Sequence, residues 1–264
     1  MLKAALHVHS TYSDGEFTLA DLKRIYVQAG CSVVGITDHD DHFDAPKLAD
    51  YIAECESLSD GQFTFLCGLE FRCEKEMHIL GYGCTTLADT QDPQEIIRHI
   101  ELHRGLAVIA HPKDSMFPWI ETFATLPQGI ETWNSKYDGR YAPRPGTFDL
   151  LKRLQSRRPA MRAFYGQDLH WKKQFRGLFT ELHCENVNRT QILAALENGR
   201  FAGVKAALRL PSTGDISLEL HASFAAKHAQ SDRMRRFVKA GKKTIDKLGI
   251  RPPAALKSHL RKIF

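Results

Sequence analysis

The feature that most restricts the fold of this chain is an alternation of pattern. Over roughly its first 206 residues, short runs rich in Val, Ile, Leu and Phe alternate with longer amphipathic stretches. The apolar runs lie at 2–9, 32–37, 63–71, 76–82, 106–110, 129–133, 161–166 and 177–182, with a further run at 201–206. Continuous apolar runs of this length suit strands buried on both faces. Helix signals fall between most of them. Thr18 with Asp21 reads as an N-terminal cap for a helix to Gln28, stopped at Gly30. Asp44 and Pro46 open a helix over 45–58, and Asp92 and Pro93 open one to His103, closed by Gly105. Further helices are expected over 147–155 and 190–197. This order predicts an α/β fold on a mostly parallel sheet, closed or open. The runs 63–71 and 76–82 stand too close for an intervening helix and are expected to form a hairpin.

Histidine placement then points to chemistry. His7, His9, His39, His78, His111 and His170 all lie in or just after predicted strands, accompanied by Asp14, Asp38, Asp40, Glu70 and Asp168. In a parallel α/β fold the C-terminal strand ends converge on one face, so residues spread over 160 positions can meet in one cleft. Residues two apart on a strand share a side, which pairs His7 with His9 and Asp168 with His170. Imidazole and carboxylate together suit Zn²⁺, Mn²⁺ and Fe²⁺, and a Glu can bridge two ions. His99 and His103 sit i,i+4 on a helix, but the general-base Glu of a His-Glu-x-x-His motif is missing and they read as helix-surface residues. His42 lies near the His39 loop. Ser10 and Ser13 have no persuasive role as nucleophiles, and neither a phosphate loop nor a dinucleotide fingerprint is present.

His7-Val-His9-Ser10-Thr-Tyr-Ser13-Asp14-Gly15 and Ile36-Thr37-Asp38-His39-Asp40 resemble the first two motifs of the PHP (polymerase and histidinol phosphatase) superfamily. Gly68-Leu-Glu70, Met77-His78-Ile-Leu-Gly81-Tyr, Ala110-His111-Pro112 and Asp168-Leu-His170 resemble the remaining motifs in order. The resemblance implies a distorted seven-stranded, TIM-like β/α barrel and two or three divalent ions: Zn, Mn or Fe, with Mg also admissible. It implies nine ligands. His7, His9 and Asp168 would hold one ion, Glu70 would bridge to a second completed by His78 and His111, and Asp14, His39 and His170 would hold a third. Glu70, Asp168 and His170 are carried over as catalytic, and Asp38 and Asp40 as partners that orient the histidines, with a purely structural hydrogen-bonding role open for Asp38. The implied reaction is phosphoester hydrolysis by a hydroxide bridging two ions, on a small phosphorylated metabolite or nucleotide. Arg72, Lys113, Lys136, Arg140 and Arg144 are candidate phosphate-binding cations, and Trp133 could pack or stack on a substrate ring. Only 32 residues separate His78 from His111, leaving no room for a large helical cap.

The net charge of +5 hides an asymmetry. Residues 221–264 hold twelve Lys/Arg against two Asp, a net of +10, which leaves the rest at −5. A domain of residues 1–206 and a basic, mainly helical extension of 207–264 are expected, with a helix over 231–248 whose apolar positions are Met234, Phe237, Val238, Ile245 and Leu248. The extension could attract nucleic acid or an acidic membrane surface. Two alternatives follow: a 3′–5′ exonuclease assisted by the basic tail, and a non-catalytic, metal-stabilised scaffold whose tail docks on membrane or a partner. No apolar run reaches the length of a membrane span, the N-terminus lacks a signal-like apolar core, and six Cys without a Cys-x-x-Cys pair read as reduced thiols in a cytoplasmic protein.

Overall fold

The structure is a computed structural model that describes residues 1–139 and 141–247. One compact unit spans Met1–Ser217 and a second begins at Leu218. In chain order the first unit comprises β1 (Leu2–Val8), α1 (Leu19–Gln28), β2 (Val33–His39), α2 (Ala45–Leu58), β3 (Thr64–Arg72), β4 (His78–Tyr82), α3 (Pro93–Leu102), β5 (Leu106–Ala110), a four-residue α4 (Phe117–Ile120), β6 (Gly129–Asn134), α5 (Pro145–Gln155), β7 (Arg162–Gly166), β8 (Phe179–Leu182), α6 (Arg189–Glu197), β9 (Phe201–Lys205) and β10 (Leu208–Pro211). The helix ends obey the sequence signals. Thr18 accepts from the Asp21 amide, and Asp44 and Asp92 cap α2 and α3, each of which carries Pro in its first turn.

All ten strands form one sheet in the order β10-β9-β8-β1-β2-β3-β4-β5-β6-β7. The pairs β1–β2, β2–β3, β5–β6 and β6–β7 are parallel, while β4 runs antiparallel to both neighbours. The expected β3–β4 hairpin is therefore present, and it has a positional effect. Because β4 is reversed, its first residue, His78, pairs with Arg72 near the end of β3 and with Ala110 at the end of β5. A ligand at the start of this strand thus reaches the same mouth as ligands at the ends of the others.

Strands β1–β7 curl into the barrel. At the mouth, β1 meets the segment after β7 directly: the Asp168 amide donates to His7 O at 2.7 Å and the His9 amide to Leu169 O at 3.0 Å. At the other end β8 takes the place beside Leu2–Ala4, and the Ala163 amide on β7 donates to Ser212 O just past β10 at 2.7 Å. The barrel is nearly closed, and among the described residues the sheet extends past its seven strands into β8, β9 and β10, one strand more than the nine expected runs. Strand β10 was missed because Pro211 and the polar residues after it mask a hairpin whose turn residue, Ala206, has φ of 51°. It pairs with β9 and lies beyond the boundary expected at residue 206.

The described part of the second unit is one helix, α7 (Leu218–Lys247). It begins thirteen residues before the helix expected over 231–248, since residues 218–230 are rich in Ala, Leu and other good helix formers. Side chains at Met234, Phe237, Val238 and Ile245 are beyond what the structure describes, and Leu248 lies outside the described residues. Among the described residues, no helix is long and apolar enough to cross a membrane.

Candidate metal centre

Six histidines and three carboxylates converge at the barrel mouth. Glu70, buried at the end of β3, lies at the middle. Its Oε2 is 3.1 Å from His7 Nε2, 3.1 Å from His9 Nε2 and 3.5 Å from His39 Nδ1; its Oε1 is 2.8 Å from His78 Nδ1 and 3.1 Å from His111 Nε2. The two oxygens thus face different sets of imidazoles. Asp168 stands 3.2 Å from His170 Nδ1, 3.6 Å from His111 Nε2 and 3.8 Å from His9 Nε2. Asp14 Oδ1 is 3.1 Å from His170 Nε2 and 3.7 Å from His39 Nε2. Three groups have donor atoms close enough to share an ion: His7, His9 and Asp168; His39, Glu70 and His78; and His9, Asp14, His39 and His170. A fourth links His7 and His111 with Glu131. All nine expected ligands are brought together, although His7, His9 and His39 each belong to two groups and His111 falls with His7.

The backbone is strained where it delivers these side chains. His7, His111 and Asp168 have φ of 60°, 26° and 51°, left-handed values that L-residues adopt only when their surroundings enforce them. The Asp168 amide to His7 carbonyl bond pins two of them together, and the His111 amide donates to Glu131 Oε2 at 2.9 Å. Strain of this kind is a marker of functional sites.

Asp38 and Asp40 do not orient histidines. Buried Asp38 accepts from Ser10 N, Ser10 Oγ, Ser13 N and Ser13 Oγ, and so shapes the loop that carries Asp14. Asp40 accepts from the Arg72 amide, and burial raises its pKa to about 6. Both serines are thereby spent on structure. The orienting partner is Glu131 on β6, absent from the sequence-based set. Its Oε1 accepts from His7 Nδ1 at 2.9 Å, and its Oε2 accepts from Asn134 Nδ2 at 3.0 Å as well as from His111 N. A lone carboxylate inside the apolar run 129–133 was the available signal. Gly166 on β7 makes room for it, since a Cβ there would fall on the Glu131 carboxylate.

The electrostatics are those of a centre built for cations. Burial works against a charged His7, but Glu131, Glu70 and Asp168 outweigh it and raise its pKa. Burial dominates at His9 and lowers its pKa to about 3. Burial opposes ionisation of Glu70 and Asp168, yet the surrounding imidazoles hold both below the usual carboxylate range. His170 is raised to about 9 against burial by hydrogen bonds to Asp14 and Asp168. The fit to metal can be tested at His9. Both of its ring nitrogens are buried, Nδ1 facing no hydrogen-bond partner and Nε2 facing only Glu70 Oε2 at 3.1 Å. A buried neutral imidazole with an uncommitted lone pair costs stability unless a Lewis acid takes it. The residues present therefore fit divalent ions, and the mixed nitrogen and oxygen donor set suits the borderline metals.

The expected cations separate clearly. Lys136 lies at the centre, 2.9 Å from Asp168 Oδ1 and 3.3 Å from His170 Nδ1. Arg144 is instead a clamp, bonded to Asp138, Asp114 and the Pro112 carbonyl. Arg72 pairs with Asp41 and Glu76 on the surface. Lys113 is exposed just after His111 and Pro112, and Arg140 lies outside the described residues. Trp133 is buried and donates to Gly139 O, which makes it packing and leaves no face for a substrate. The accessible aromatics at the mouth are Tyr137, 4.6 Å from the His111 ring, and Trp171, 5.5 Å from the His170 ring. His42 is exposed beside Asp41. Between β4 and β5 the chain holds only the ten-residue α3, in keeping with the short spacing.

Comparison with known proteins places this geometry. A two-domain protein from Bacteroides vulgatus, containing a predicted PHP-like metal-dependent phosphoesterase, superposes with a TM-score of 0.57 at 17% identity, covering 79% of this chain and 66% of that one. The chain thus spans just under two thirds of that protein's length. A structure from Bifidobacterium adolescentis described as a metal-dependent phosphoesterase gives a TM-score of 0.49 at 15% identity, over 74% of this chain and 96% of that one. No curated protein sequence matches the chain. The PHP domain model matches residues 5–138, half of the sequence, and that stretch holds seven of the nine converging residues: His7, His9, Asp14, His39, Glu70, His78 and His111. The chain belongs to the PHP domain family.

Proposed function

We propose that the protein is a metal-dependent phosphoesterase acting on a small phosphorylated molecule at the barrel mouth. The observation that carries this is the set of three overlapping donor groups around Glu70, with the buried His9 Nδ1 left without a hydrogen-bond partner. His7, His9 and Asp168 would hold one ion, Glu70 with His78 and His39 a second, and Asp14 with His170 a third, with His111 beside Glu70 and Asp168. Bound divalent ions supply charge neutralisation for a phosphoryl group and a nucleophile at neutral pH.

The chain's own residues set the conditions for that chemistry. Glu131 accepts the Nδ1 proton of His7, so that when a cation displaces the proton on Nε2 that nitrogen can turn its lone pair to the centre. Asn134 holds both Glu131 and Asp168 in place. Lys136 brings a positive charge to the edge of the cluster, where it can meet a non-bridging phosphate oxygen. Tyr137 and Trp171 offer partly exposed rings on which the organic part of a substrate can rest.

A screen of the protein loaded with Mn²⁺, Zn²⁺, Fe²⁺ or Mg²⁺ against aryl phosphates, sugar phosphates, nucleotides and short oligonucleotides tests the proposal. Phosphate release that vanishes with chelator and returns with metal is the expected result. Absence of turnover with every metal and substrate would sink it, and cleavage confined to oligonucleotide ends would favour an exonuclease.

A further inference from the structure

A second group of metal-type side chains lies at the opposite end of the barrel. Cys84, His99 and His103 place one donor atom each within 4.8 Å of one another. Cys84 follows β4, whose last residue Tyr82 pairs with Leu106 at the start of β5. His99 lies in α3 and His103 just past its end, immediately before β5. The length of β5, about 16 Å at ~3.3 Å per residue, separates this group from His111 at the mouth.

The hydrogen bonds around the two imidazoles decide which nitrogens are available. His99 Nε2 faces the Thr86 carbonyl at 2.9 Å, and His103 Nδ1 faces the His99 carbonyl at 2.9 Å. A carbonyl oxygen only accepts, so each of these nitrogens carries the ring proton. The other nitrogens, His99 Nδ1 and His103 Nε2, are left with lone pairs. Ligating histidines are oriented in this way, with one ring N–H on a backbone carbonyl and the second nitrogen on the metal. The two rings stand 4.3 Å apart between centroids. Cys84 is buried and packs closely on Gly105, where a Cβ would lie 2.8 Å from the Cys84 Cβ. The thiol donates a long hydrogen bond of 3.8 Å to Thr86 O, the carbonyl that also accepts from His99 Nε2, and a metal–sulfur bond would replace it.

We propose that Cys84, His99 and His103 form a second cation site, for Zn²⁺ or a similar thiophilic divalent ion, with water as the fourth ligand. Donors around a tetrahedral zinc stand roughly 3.3–3.6 Å apart, from Zn–S of about 2.3 Å and Zn–N of about 2.0 Å, so the three donors, now within 4.8 Å of one another, would draw together and the imidazoles turn on binding. Binding expels the thiol proton to solvent and forms one metal–sulfur bond and two metal–nitrogen bonds. The ion ties the loop after β4 to the C-terminal end of α3, a structural clip beneath the barrel and independent of chemistry at the mouth.

Cobalt separates the two sites, because the mouth offers only nitrogen and oxygen donors. Co²⁺ titrated into the full-length protein is expected to produce a thiolate-to-cobalt charge-transfer absorption that Zn²⁺ bleaches. Cys84→Ser should abolish the band. His103→Gln, at an exposed position that the fold does not need, should weaken Co²⁺ binding there at least tenfold, while His78→Ala at the mouth should leave the band intact. The proposal is overturned if the wild-type protein gives no such band, if the band survives Cys84→Ser, or if His103→Gln leaves it unchanged.

Discussion

Glu131→Gln is the perturbation that bears most directly on how the centre is organised. Glu131 is fully buried and accepts three hydrogen bonds: from His7 Nδ1 on one oxygen, and from His111 N and Asn134 Nδ2 on the other. Gln has the same shape but only one acceptor oxygen. With that oxygen toward His111 and Asn134, two bonds survive and the amide NH₂ meets the Nδ1–H of His7. The donor clash is relieved when His7 moves its proton to Nε2. That nitrogen points at Glu70 Oε2, 3.1 Å away, so the proton then blocks the lone pair meant for the metal. One charge-assisted bond is lost, worth about 1.5–3 kcal/mol, and removal of such an orienting partner typically weakens metal binding about 10- to 100-fold. Calorimetric titration of Mn²⁺ or Zn²⁺ into chelator-stripped protein measures the affinity, with circular dichroism to establish that the variant is folded. Turnover should fall at limiting metal and recover in excess. A folded Glu131→Gln protein with wild-type metal affinity would refute the orienting role.

Three further outcomes are expected. Gly166→Ala pushes a Cβ onto the Glu131 carboxylate, so a stability loss of about 1–3 kcal/mol from overpacking should appear in urea denaturation, together with weakened metal binding; a neutral substitution would mean that Glu131 has room to move. In metal-free protein, His170 has a folded pKa of about 9, above its unfolded value, so its stabilising contribution is complete below pH 6.5 and is lost as pH rises through 9. His9, with a folded pKa of about 3, contributes above pH 6.5 and loses that contribution as pH falls. The melting temperature of chelated protein should therefore peak near neutrality, and a flat profile from pH 5 to 10 would contradict both assignments. Finally, the +10 charge of residues 221–264 leads us to expect retention of single-stranded oligonucleotides that weakens steeply with salt; unchanged binding after deletion of 221–264 would exclude that role.

The sequence by itself determined the class of fold and named the candidate donors. Short continuous apolar runs and amphipathic stretches, with caps at Thr18, Asp44 and Asp92, marked where β1–β7 and α1–α3 lie, because those signals are local. Strand-end placement marked the six histidines, Glu70 and Asp168 as candidates, because a parallel barrel gathers side chains there, while the full set of nine, with Asp14 in the turn after β1, came from the family resemblance. Non-local facts were decided by tertiary structure alone. Glu131 looks like any acidic residue until β6 sets it beside His7, 124 positions away. Arg144 and Lys136 are equivalent as loop cations, yet Asp138 and Asp114 claim the one while Asp168 draws the other into the centre. His99 and His103 read as surface residues until the chain after β4 brings Cys84 against them. The left-handed backbone of His7, His111 and Asp168 opposes local propensity, and only the closed end of the barrel can hold it. A pattern of residue types can name the donors; which donors share an atom-sized space is set by packing, and packing is a property of the whole fold.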